Sequence, residues 1–523
     1  VHDRIISLNA GLDLEMPGPS KKSYKDLLKA IKVNDVSEDI IDESVKRIIA
    51  LLEKTLKNQK DIAFSQEKFS EDGLRLMRAI RFATQNEENM LPLVKDKKVA
   101  IIGKIAMNPR IQGGGSSEVN PTTIDIPFEE IRGLAKIKED ILYSEGYSLD
   151  CEYDEDRLSH AANLAKNCDV AVIFIGLPSN IEYESYDRDD MDLPKQQSEL
   201  IKMVSKEVDT IVVLNTGAPV SINPWGDKPK AIIQGWLCGQ GGGNAIAKVL
   251  YGEVNPSGKL AETFPVALEN TPAYLNYPDE EDHVIYGEGI FVGYRYYDKK
   301  KLEVKYPFGY GLSYTNYKYD NFRISSKDIL DTDTLIVELD VTNIGEIDGQ
   351  ETVQLYVRDN ECQYIRHEKE LKAFKKVFVK SKQTKHIKFQ LNQRDFAFYD
   401  SGNGIFRTED GEFEIMIGKS SRDIVHRDTI FLKSTFEEVC TLNYDSTVRD
   451  WMNDKRGKEI IEGLINEVTE SEEYRRENEN TGIDIIKASQ DSKLSFILKQ
   501  LQWAIPFIPD VIMYKLLAQV HKK

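Results

Sequence analysis

Sulfur chemistry is almost missing from this sequence. Its five cysteines, Cys151, Cys168, Cys238, Cys362 and Cys440, stand far apart, and none shares a CxxC. A disulfide framework and a thiolate zinc site are therefore not expected. The seven histidines show no HxxxH spacing, so no metal is predicted. Reduced thiols are the default state, and a cytoplasmic setting is the expectation. Long apolar runs are lacking too. The best stretch, "WAIPFIPDVIMYKLLAQV", is broken by Pro506, Pro509 and Asp510, so no membrane span or membrane partner is expected. Positive charge is in deficit: 69 Lys and Arg stand against 87 Asp and Glu, a net charge of −18. That balance repels phosphate backbones and anionic lipid, and a nucleic-acid partner is not expected.

What is present is a globular composition, 41% hydrophobic and 30% charged over 523 residues. Such a length holds about three or four domains. From 98 to 267, near-continuous apolar runs ("KVAIIGK", "DVAVIFIGL", "DTIVVLNTG", "KAIIQGW") alternate with helical stretches such as "PKQQSELIKMVSKEV" and "GGNAIAKVLYG". Buried strands alternating with helices predict a mostly parallel sheet covered on both faces. From 319 to 433 the period changes to two, as in "TLIVELDVTN", "ETVQLYVRD", "KHIKFQL" and "GEFEIMIG". Turn signals separate these runs, and the pattern predicts a β-sandwich. Ahead of the sheet, 37–53 reads as an amphipathic helix capped by Ser37. Residues 455–468 and 510–520 read as helices in a charged tail. No internal repeat is apparent.

Ligands of parallel sheets gather at the carboxyl ends of the strands. One such end leads into the densely acidic "IEYESYDRDDMDLP" (181–194), which reads either as a solvated loop or as a source of catalytic carboxylates. An EF-hand is excluded: counted from Asp187, the sixth position is Asp192 instead of Gly. Another end leads into "RIQGGGSSEVNP" (110–121), whose glycines admit close backbone approach to a ligand or simply make a tight turn. Neither "GGGSS" nor "GQGGGN" (239–244) fits GxGxxG, so no dinucleotide or other cofactor is predicted.

Six stretches occur in an order that resembles glycoside hydrolase family 3, the β-glucosidase type: "NAGLDLEMPG", "GGGSSEVNP", "EYESYDRDDMDLP", "GEVNPSGKLAETFP", "VGYRYYDKKKLEVKYPFGYGLSYT" and "VTNIGEIDGQETVQLYVRD". The resemblance spans about residues 1–433. It implies a (β/α)8 barrel, an α/β sandwich and a fibronectin type III-like domain. The expected layout is a barrel remnant (1–66), a linker (67–97), the α/β sandwich (98–267), a connecting segment (268–318), the fibronectin-like domain (319–433) and a helical C-terminal extension (434–523). Two departures stand out. "FATQNEENMLPL" replaces the family's "VLLKN" stretch, and Ser185 replaces a glycine.

The implied activity is retaining hydrolysis of terminal β-D-glucosides, through one carboxylate that attacks and one that acts as acid and then base. The acid needs a proton affinity raised by burial or a neighbouring carboxylate. The resemblance places the acid/base at Glu184, with Glu182 the runner-up and Glu118 third. Arg188 is expected to be a partner of the acidic loop. The family's attacking Asp, in an "SDW" stretch, aligns a few residues before Val1. The nucleophile is therefore expected outside this chain, and the chain alone is expected to be inactive, as an N-terminally truncated form. Asp13 and Met16, at the end of the last barrel strand, and Arg110 and Ser116, at the rim, are the candidate sugar contacts, with a structural ion pair the other reading of Asp13; an oligosaccharide or an aryl or alkyl β-glycoside is the expected partner. β-Xylosides or α-L-arabinosides are the alternative substrates, and a non-catalytic carbohydrate-binding or scaffold protein is the alternative class.

Overall fold

The structure, a computed structural model, describes residues 46–47, 81–116, 118–278, 280–281, 283–362, 364–401, 404–436, 442–470, 475–476, 489–500 and 509–521. The barrel remnant expected over 1–66 falls outside them, Asp13 and Met16 included. Of the helix expected over 37–53, Lys46 and Arg47 are described and are helical. The chain divides into two compact units, Val1–Ser434 and Thr435–Lys523.

The first unit opens with a six-stranded sheet: β1 (Arg81–Asn86), β2 (Val99–Ile102), β3 (Ile141–Ser144), β4 (Val170–Gly176), β5 (Thr210–Asn215) and β6 (Ala231–Gln234). Their spatial order is β1-β6-β5-β4-β2-β3. All neighbours run parallel except β1 against β6. Every residue of β2, β4, β5 and β6 is buried, which is why these strands read as unbroken apolar runs. Each such Val or Ile contributes roughly 1.5–3 kcal/mol on burial. Helices α1 (Pro127–Leu134), α2 (Glu155–Ala165), α3 (Lys195–Val204) and α4 (Gly242–Leu250) fall between the strands. β1 lies inside the stretch expected as linker. It is "RFATQN", the segment that departs from the family pattern, and as an antiparallel edge strand it tolerates polar residues. Asn86 anchors it by bonding both the N–H and the carbonyl of Leu91.

The strand order makes β4 the neighbour of both β2 and β5. The loops leaving those strands therefore converge at one edge of the sheet. Gly176, the last residue of β4, is gripped on both sides of its peptide by the buried Gln197 of α3, at 3.1 and 2.8 Å.

A ribbon of β7 (Phe264–Pro265) and β8 (Val304–Tyr306), with helix α5 (Tyr294–Lys299) between them, leads to the β-sandwich. One layer is β10 (Asp328–Leu330), β18 (Ile424–Lys433), β17 (Gly411–Gly418), β12 (Gly349–Asp359) and β13 (Glu370–Val379), in that spatial order. The other is β14 (Thr384–Leu391), β11 (Leu335–Asn343) and β9 (Tyr317–Ile324). A small hairpin joins β15 (Phe398–Asp400) to β16 (Ile405–Arg407). β11 buries every second residue, as its period of two requires. A buried ion pair ties the α/β part to the sandwich. Lys259 Nζ lies 3.2 Å from Glu351, whose side chain is 5% exposed, and the Tyr319 hydroxyl donates to the same carboxylate at 3.0 Å.

The second unit holds α6 (Val448–Asn453), α7 (Lys455–Glu470), α8 (Leu494–Gln500) and α9 (Pro509–Val520). Its two helix pairs open on short segments that pair with each other. "DSTVRDWM" (445–452) opens the first helix pair and "DSKLSFIL" (491–498) opens the second. Thr447 bridges Lys493. Val448 N–H donates to Ser492 O and Leu494 N–H to Ser446 O, both at 3.0 Å. These bonds are reciprocal, so the two segments pair antiparallel. Val448 and Trp451 from one segment and Leu494, Ile497 and Leu498 from the other share one core.

Candidate active site

The acidic loop leaves β4 at Leu177, and two of its carboxylates are held in unlike ways. Glu182 faces inward, its side chain 17% exposed. Arg110 Nη1 lies 2.5 Å from Glu182 Oε2 and donates to Leu177 O at 2.8 Å. Arg110 Nη2 donates to the Glu182 carbonyl. From the loop after β5, Gly217 N–H donates to both Glu182 oxygens, at 3.1 and 3.0 Å. A clamp of this kind fixes the orientation of the side chain. Arg110, expected as a sugar contact, turns Nη1 and Nη2 to Glu182 and Leu177.

Glu184 is exposed. Its carboxylate meets the loop that follows β2. Ser116 N–H donates to Oε2 at 2.5 Å, and the Ser116 hydroxyl lies 3.0 and 2.8 Å from the two oxygens. These bonds, the backbone one first, hold the Glu184 carboxyl below its usual range. The direction is opposite to the raised affinity expected of an acid. The bonds also bring together two residues that were singled out separately, Glu184 and Ser116. The glycines of that loop approach the acidic loop itself: a methyl group on Gly114 would overlap the Tyr183 ring, and one on Gly115 would overlap Glu184.

A turn from Tyr183 to Tyr186 presents Glu184, closed by Tyr186 N–H on Tyr183 O at 3.2 Å. Ser185, third in this turn, has φ +69°, where glycine is favoured. The glycine-to-serine departure thus keeps a glycine-type backbone and carries its strain. Tyr183 and Tyr186 stand exposed beside Glu184, 40% and 70%. Arg188 does not reach Glu184. Its Nη1 donates to Pro219 O at 3.2 Å. Burial pulls its guanidinium down, against the opposing charges of Glu182, Asp190 and Asp192. Glu118 is exposed and closes a turn on Gly115 O through its N–H. Gly217 was not singled out in the sequence. Its signal was the "NTGAP" run just after β5.

Residues 85–314 match the model of the glycosyl hydrolase family 3 C-terminal domain, and residues 351–421 that of the fibronectin type III-like domain. The crystal structure of the GH3 beta-glucosidase of Bifidobacterium adolescentis superposes with a TM-score of 0.75 at 36% identity, over 88% of this chain and 67% of that one. The chain belongs to glycosyl hydrolase family 3. Within family 3 it is 41% identical to thermostable beta-glucosidase B of Acetivibrio thermocellus, over 91% of this chain and 64% of that protein. It is 37% identical to an exo-alpha-(1->6)-L-arabinopyranosidase of Bifidobacterium breve, over 88% of this chain and 61% of that protein. The chain thus spans a little under two thirds of the length of these curated relatives. The α/β domain and the fibronectin type III-like sandwich are the family 3 modules expected from the sequence.

Proposed function

We propose that this chain supplies the acid/base half of a retaining glycoside hydrolase that removes terminal β-D-glucose, with Glu184 as the acid/base. No residue of the chain is assigned as the attacking carboxylate, and the chain by itself is read as inactive. In the first step, a protonated Glu184 gives its proton to the glycosidic oxygen while a carboxylate attacks the anomeric carbon. In the second, Glu184 as carboxylate takes a proton from the water that displaces that carboxylate, which restores the β configuration.

The observation that carries the choice is the unlike setting of the two neighbouring carboxylates. Glu182 is held in place by Arg110 and Gly217. Glu184 stands open, flanked by two exposed tyrosines that offer apolar faces to a sugar. The arabinopyranosidase relative supports α-L-arabinopyranosides as the second substrate reading.

The test joins a family (β/α)8 barrel ahead of Val1 and replaces Glu184 with Ala. A dinitrophenyl β-glucoside needs little acid help, so it is expected to give a burst and then slow turnover. Azide is expected to restore turnover as a β-glucosyl azide. Rescue of a Glu182→Ala protein instead would move the assignment by two residues, and an α product would overturn retention.

A further inference from the structure

The Gly113–Ser116 loop has no assigned task in the reaction, yet its shape is specific. Gly114 leaves room for the Tyr183 ring, and Gly115, at φ +96°, leaves room for Glu184. The next residue, Ser116, then offers its N–H and its hydroxyl to the one carboxylate seated there. A turn closed by Glu118 N–H on Gly115 O holds that N–H in place. Both groups suit a carboxylate. The carboxylate accepts from both at once and is the stronger acceptor, whereas a protonated carboxyl accepts more weakly.

We infer that Ser116 is a positioning residue that favours Glu184 as the carboxylate, the form required of a base, and that its hold weakens when Glu184 is protonated to act as an acid. This rests on the acid/base reading of Glu184. It deepens that reading by assigning the glycine loop to the second half-reaction, in which the carboxylate takes a proton from water.

The charged and titratable neighbours do not supply the same effect. Arg110 is taken up by Glu182. Arg188 turns to Pro219 O. Glu182 is clamped by Arg110 and Gly217, and Glu118 engages the loop through its backbone. Tyr183 and Tyr186 pack edge to face with each other, and Asp187 is exposed. The causes that set the proton affinity of Glu184 are its two bonds to Ser116 and the weaker opposing effect of burial.

The test uses the chain as it stands. Glutamate is labelled with 13C at the side-chain carboxyl, and the Glu184 resonance is assigned by its loss in Glu184→Gln. Its titration midpoint is then followed by NMR. In Ser116→Ala, which keeps the N–H and removes the hydroxyl, the midpoint is expected to move to higher pH. Ser116→Thr, which keeps both donors, is expected to restore the parent midpoint. Ser116 is exposed, so neither change threatens the fold. An unmoved midpoint in Ser116→Ala overturns the inference, as does a Thr variant that titrates like the Ala one. Both outcomes are independent of catalysis. Should azide rescue fail while the midpoint moves, it is the acid/base reading that falls.

Discussion

The carboxylates of the sandwich and those of the sheet edge are built on opposite terms. In the sandwich, Glu351 is sealed between Lys259 and Tyr319. On helix α5, Asp298, 7% exposed at its side chain, is held by two sandwich cations, Lys369 at 2.6 Å and Arg422 at 2.9 Å. At the sheet edge, Glu184 is open to water and bound through Ser116. Removing a buried ionic partner leaves a charge without compensation, so the sandwich groups report on stability. Removing an exposed carboxylate costs the fold almost nothing, so Glu184 reports on reactivity alone. Glu182 belongs by position to the second group and by contacts to the first.

The sharpest test of this division compares Glu184→Gln with Glu182→Gln in the barrel-joined protein. Hydrolysis of a β-glucoside with a poor leaving group is expected to fall by about 10²–10⁴ for Glu184→Gln, the range for a general acid or base. For Glu182→Gln it is expected to stay within about tenfold, since a glutamine oxygen still accepts from Arg110 and Gly217. Thermal unfolding should show the reverse ranking. Steady-state kinetics and melting curves on the same samples decide it.

Next in size is Lys259→Met. It strands Glu351 in the interior and is expected to cost about 3 kcal/mol, the lower end for breaking a buried pair. Denaturant unfolding measures it, and a loss below about 1 kcal/mol would mean that water reaches Glu351.

The sandwich also carries an acid-sensitive site. Burial pulls His367 down from 6.5 to about 4, against the opposing charge of Glu370. Glu370 sits at about 2, because Lys372, His367 and Arg295 outweigh the effect of burial. Both folded values lie below the unfolded ones, so both groups stabilise at neutral pH and cease to do so as pH falls. His367 accounts for the loss between about pH 6.5 and 4, and Glu370 for that between about 4.5 and 2. His367→Gln is expected to flatten the pH 6.5–4 part of a stability-against-pH curve and leave the lower part. An unchanged slope would refute it.

The smallest effect is expected from Ser185→Gly. It relieves the left-handed backbone of a non-glycine residue, worth roughly 1 kcal/mol, partly offset by the greater freedom of glycine when unfolded. A slight rise in melting temperature is the expected result, and a fall would mean that the serine side chain is bound.

The sequence was most legible where burial is two-sided or alternates strictly. β4 and β5, all apolar, and β11, with its period of two, are where their patterns place them. It was least legible at edges. β1 is polar, β3 has four residues, and β13 carries lysines along an edge strand, a usual guard against pairing with other chains. At the site, spacing identified the acidic loop and the glycine loop but did not show that each is the other's partner. Nor did it separate Glu182 from Glu184, because that difference comes from Arg110 and Gly217, which are far from them in the chain.

The pairing of 445–452 with 491–498 bears on how the second unit comes apart. The two segments are distant in the chain, yet they share a reciprocal pair of backbone bonds and one apolar core. Neither helix pair keeps that core without the other, so the unit is expected to open in one cooperative step.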